Sequence, residues 1–157
     1  MGIPSSLPAF AAPTANDTPE SIIVQGKKVS LKNIKNPFPP DPDTIQEGGQ
    51  IYIKNCFLCH GDLLDGKGLF GESFIPAPAN FIQKNSVTSK TPAYAFWRIM
   101  KGGKGLPEKF EPWNSAMPAW EGVLSQEEAW KTILYIYETV KERRQYVTEN
   151  QKPSIEQ

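Results

Sequence analysis

The chain's only two cysteines and its only histidine lie together in Cys56-Phe57-Leu58-Cys59-His60. Two thiols at this spacing can each add to one vinyl group of a haem, forming two thioethers. The adjacent imidazole is then placed under the ring, where it can ligate the iron, so the run reads as a covalent haem-attachment site. Two other chemistries use such a Cys pair. A dithiol redox centre expects alternating strands and helices around it, whereas this chain reads as helix, loop, helix, loop, helix. A structural zinc site usually takes four ligands, most often Cys and His, and only three such groups are present.

The same inventory favours one haem per chain and rules out a second histidine from this chain as the other axial ligand. The methionines come next. Met1 sits in a tail, leaving Met100 and Met117. Met100 closes an aromatic-rich helical segment, where Met usually fills gaps in a core. Met117 precedes Pro118 in a Gly/Pro-rich stretch between Gly102 and Gly122, long enough to carry a thioether over the far face of the ring.

Three helices have to position these groups. The first is expected to begin at Thr44, with Thr44 and Glu47 spaced as a capping box, and it places Ile45, Gly48, Tyr52 and Cys56 on one face. Gly61, Gly66, Gly68, Gly71 and Pro76-Ala77-Pro78 then predict a long loop. A second helix starts at Thr91-Pro92, carries Tyr94, Trp97, Arg98 and Lys101, and stops at Gly102-Gly103. Ser125 and Glu128 form another capping box, opening a last helix with apolar positions Ala129, Trp130, Ile133, Leu134, Ile136, Tyr137 and Val140. That face is wide enough for another helix and a large flat group, and the chain is expected to fray after Arg144.

The domain organisation follows. Residues 1–42 form a Pro-rich extension, with Ile22-Ile23-Val24 and Val29-Ser30-Leu31 as short extended pieces and Asn36-Pro37-Phe38-Pro39-Pro40 as a strap over the core. Residues 43–144 form the helical domain and residues 145–157 a polar tail. Within residues 1–12, Ser5 to Ala12 looks like the small-residue end of a secretory signal, without the charged and long apolar regions that precede one. The chain of 157 residues carries 17 basic and 17 acidic side chains. No basic stripe points to nucleic acid, and no stretch approaches the roughly 18 apolar residues of a membrane span.

Over residues 43–144 the sequence resembles class I c-type cytochromes. The likeness is carried by Gly48, Tyr52, the Cys56–His60 run, Gly61, Gly66-Lys67-Gly68, Pro76-Ala77-Pro78-Ala79-Asn80-Phe81, Met117-Pro118 and the helix around Tyr135. It implies an all-α fold of three to four main helices around one covalent haem c, held by thioethers to Cys56 and Cys59, with His60 and Met117 as axial ligands. It further implies a pocket of Leu69, Pro76, Pro78, Phe81, Trp97, Trp113 and Tyr135, with Trp113 and Trp120 shielding the Met face. Leu69 stands where the family's acceptor for the ligand imidazole, often a proline carbonyl, is expected.

With both axial positions filled, the implied role is one-electron transfer and not catalysis. The protein would be a periplasmic carrier between a donor dehydrogenase or quinol-oxidising complex and an acceptor oxidase or reductase. The alternative is a fixed haem subunit of a larger oxidoreductase, and a third reading is a haem sensor or peroxidase with a labile Met117. Lys101, Lys104 and Lys109 are a candidate docking patch.

Overall fold

The computed structural model describes residues 21–24, 27–30, 35–89, 91–103 and 115–150. Trp113, Lys104, Lys109 and the signal-like segment lie outside them.

The fold is helical, as expected. Helix α1 spans Pro42–Asn55, the single turn α2 spans Phe57–His60, α3 spans Pro92–Lys101 and α4 spans Gln126–Asn150. Short 3-10 turns at Gly71–Ser73 and Val87–Ser89 interrupt the loops. The strands among the described residues, β1 (Ser21–Val24) and β2 (Lys27–Ser30), pair antiparallel as a hairpin in the N-terminal extension, with Ile22 opposite Val29. They lie where the short extended pieces are expected.

Helix α1 starts earlier than the Thr44–Glu47 spacing suggests. Asp41 is the N-cap, accepting the Thr44 amide at 3.0 Å and its hydroxyl at 2.7 Å, and Pro42 occupies the first turn. A proline there costs no hydrogen bond, because that N–H has no partner inside the helix. Glu47, freed from capping, pairs with Lys131 of α4 at 2.6 Å. The second capping box is present: Ser125 Oγ accepts the Glu128 amide at 3.1 Å, and Glu128 accepts the Ser125 amide at 2.8 Å. Helix α4 continues past Arg144 to Asn150 instead of fraying.

Helices α1 and α4 cross at Gly48. A Cβ there would overlap the Lys131 carbonyl, so only glycine lets the two backbones meet. Tyr52 and Tyr135 seal the crossing, with ring centroids 5.4 Å apart. Helix α3 packs on the other side of α4, where Phe96 and Trp130 stack at 4.5 Å. The buried face of α4 also contains Thr132, whose hydroxyl donates to the Glu128 carbonyl at 2.8 Å; this bond lets a polar side chain sit inside. The strap lies on α4, with Asn36 donating to the Trp130 carbonyl at 2.9 Å and the Lys131 ammonium above the Phe38 ring.

Candidate haem-binding site

The end of α1 becomes the attachment turn. The Cys56 amide bonds back to Tyr52, and Cys59 and His60 both bond to the Cys56 carbonyl, at 3.2 and 2.9 Å. One tight turn thus sets Cys56, Cys59 and His60 on a common cavity of about 560 Å³, within the size range of cofactor sites. Neither cysteine is in a disulfide, and both are half-buried. Before a haem is attached, burial, reinforced by Cys59, pushes the Cys56 thiol up to about 12.

Burial lowers the His60 pKa, and the Ala79 carbonyl opposes that shift. Nδ1 lies 3.3 Å from the Ala79 oxygen. A carbonyl only accepts, so the contact places the proton on Nδ1 and leaves the Nε2 lone pair for a metal. The acceptor is therefore the Ala79 carbonyl and not that of Leu69, a residue that is 78% exposed and does not line the cavity. The correction is tertiary in origin: the loop folds back so that residues 79–81 cover the imidazole. Phe81 stacks on His60 at 4.7 Å with planes 16° apart.

Met117 also lines the cavity, together with Pro118 and Trp120. Its segment is bound to the end of α3: Gly103 donates to the Met117 carbonyl at 2.8 Å and Trp120 to the Ile99 carbonyl at 3.0 Å. Met100 is packed in the core, 2% exposed, among Phe96, Ile99 and Trp130, and does not reach the cavity.

Of the other expected pocket residues, Pro76, Pro78 and Phe81 line the cavity, while Trp97 and Tyr135 do not. Trp97 is turned into the core beside Tyr94, and Tyr135 belongs to the helix crossing. Arg98 is an addition that sequence reasoning did not single out for the pocket. It lines the cavity half-buried, donates to Ser115 Oγ at 3.2 Å and has no carboxylate partner among the described residues. Burial pulls its pKa down. A cation in the middle of an otherwise apolar helix was the signal available for it.

Among the described residues, no three His, Cys, Asp or Glu side chains converge as a metal-ion site. The donor set suits a haem instead. It comprises two thiols on one turn, an imidazole with one nitrogen free, a thioether within the same cavity, and a guanidinium suited to the carboxylate side chains that a haem carries.

Helices α1 and α4 crossed beside a Cys-x-x-Cys-His cavity define a class I c-type cytochrome. The chain belongs to the family described as cytochrome c oxidase, cbb3-type, subunit III, whose model matches residues 43–136. It therefore binds haem c covalently and takes part in haem-based electron transfer. A relative, the Cbb3-type cytochrome c oxidase subunit FixPc of Rhizobium leguminosarum bv. viciae, is 25% identical over 100 residues. The match covers 63% of this chain but 29% of that protein. A chain of the Kuenenia stuttgartiensis reducing HAO-like protein complex has a similar fold, with a TM-score of 0.52 and 21% identity over 71% of this chain and 49% of that one.

Proposed function

We propose that the chain carries a single haem c, joined through Cys56 and Cys59 and ligated by His60 and Met117, and that it passes one electron at a time between redox proteins of the periplasm. The observation that supports this most directly is the His60–Ala79 contact, which leaves Nε2 free at a cavity that Met117 shares. The bound haem supplies the one-electron iron couple, and a thioether ligand raises its potential. The protein contributes the rest. The apolar walls exclude water, Ala79 and Phe81 hold the imidazole, and Arg98 meets the carboxylates. His60 and Met117 would both hold the iron, which would leave substrate no position on it, so the role is transfer and not catalysis. Placement in the periplasm rests on the chemistry of attachment, which is normally completed outside the bacterial cytoplasmic membrane. No helix among the described residues is long and apolar enough to cross a membrane.

A second reading, a fixed haem subunit of an oxidoreductase complex, is favoured by the likeness to the family and to FixPc, both described as oxidase subunits. Protein matured with its haem-attachment machinery tests the core of the proposal. Intact mass is expected to show one added haem, and the oxidised spectrum the weak far-red band of an iron–thioether bond. A mass without haem sinks the proposal, and a missing band removes Met117 from it. Gentle purification from the native source separates the two readings: a stable co-purifying oxidoreductase favours the subunit, and its absence the carrier.

A further inference from the structure

The residues that hold the imidazole from behind, Ala79 and Phe81, sit in an irregular loop that needs its own anchor. Helix α4 provides it. Arg144 Nη2 donates to the carbonyls of Phe81 at 3.2 Å and Gln83 at 2.8 Å and meets Thr88 Oγ1 at 3.1 Å, while Nε donates to the Ile82 carbonyl at 3.2 Å. Thr88 in turn donates to the Phe81 carbonyl at 2.7 Å. Arg143 takes the other half of the layer, donating to the carbonyls of Leu63 at 2.6 Å and Asp62 at 3.3 Å. The two halves join where the Phe81 amide bonds to the Leu64 carbonyl at 2.8 Å. Leu64 is fully buried at φ +60°, a conformation that a bulky residue keeps only when its surroundings enforce it.

A guanidinium presents five N–H donors in a rigid plane, whereas a lysine is a compact point charge. At Arg144 that fork is spent on backbone carbonyls and one hydroxyl, and no carboxylate faces it among the described residues. The chain of contact therefore runs from α4 through Arg144 and the Phe81 backbone to the Phe81 ring, and from there to the His60 imidazole. Groups behind a metal ligand fix its ring orientation and tune the metal. We infer that Arg144 is a positioning residue for His60, setting the orientation of the imidazole and the dryness of its side of the haem. The inference rests on the reading of His60 as an iron ligand.

The test uses the haem-loaded protein. R144K keeps the positive charge but loses the fork, and R144L loses both. The readouts are the paramagnetically shifted imidazole ring protons of the oxidised protein by NMR, and the reduction potential. Both variants are expected to displace those resonances while keeping the far-red band. A looser loop admits water, which favours the more charged ferric state. The redox equilibrium is then expected to move toward the oxidised form by about tenfold, or about 59 mV for one electron. Resonances unmoved in both variants overturn the inference. So does a shift in R144L alone, because charge would then be the cause. Should R144L fail to mature, R144K carries the test. Absence of imidazole resonances from the wild type would instead overturn the His60 reading, and this inference with it.

Discussion

The amide of Gly103 donates to the carbonyl of Met117 at 2.8 Å, tying the segment that bears the thioether to the end of α3. Gly102, just before it, has φ +67° and ψ −161°, a region open essentially to glycine alone. A Cβ at this position would lie 2.6 Å from the Met117 oxygen and from the backbone of Pro118 and Ala119. Gly102→Ala is therefore expected to cost about 1–3 kcal/mol and to weaken the far-red thioether band. Denaturant unfolding and the oxidised spectrum are the checks.

Met117→Ala should abolish that band, lower the potential and let small exogenous ligands reach the iron. Met100→Leu is a volume-conserving swap at a core residue that does not itself line the cavity, so the band should survive at a stability cost below about 1.5 kcal/mol. The opposite pattern would assign the ligand to Met100. Spectra recorded with and without added cyanide decide between them.

Arg98 puts a positive charge at the cavity wall, which disfavours the extra charge of ferric iron. Arg98→Gln should therefore lower the potential, by about 60 mV if the redox equilibrium moves tenfold. A potentiometric titration reads the shift directly, and a rise in potential would remove Arg98 from the haem's electrostatics.

The capping box of α4 gives a pH dependence. Hydrogen bonds from Ser125 hold the Glu128 carboxyl below its ordinary value of 4.5. A carboxyl depressed in the folded state stabilises the fold fully above its unfolded pKa, and that contribution disappears as pH falls through the folded pKa. Ser125→Ala should cost about 0.5–2 kcal/mol at neutral pH. It keeps the backbone bond to Glu128, the larger cause of the lowered pKa, and so should lose only slightly less on acidification than the wild type. Unfolding curves at pH 7 and pH 3 compare the two proteins.

The features legible in the sequence are those fixed by neighbours along the chain. The attachment turn, the Ser125–Glu128 cap and the Pro92 and Gly102 limits of α3 all depend on residues a few positions apart. Two local signals compete at the start of α1, and Asp41-Pro42 prevails over Thr44 and Glu47. Trp97 and Tyr135 are apolar enough for a pocket, but helix packing turns them toward other partners. Ala79 and Arg144 were invisible for a different reason. Their partners are backbone carbonyls and ring nitrogens far along the chain, and a carbonyl looks the same at every residue.

The crossing at Gly48 also bears on the order in which the molecule is made. It joins groups distant in sequence, such as Glu47 and Lys131, 84 positions apart, and contacts across so long a loop form late in folding. The turn that carries the thiols needs no such contact, because its bonds, including that from the Tyr52 hydroxyl to the Gly61 carbonyl at 2.6 Å, lie within a short stretch of chain. The turn bearing Cys56 and Cys59 is therefore expected to close ahead of the crossing, which leaves both thiols open to haem attachment until α4 packs across α1.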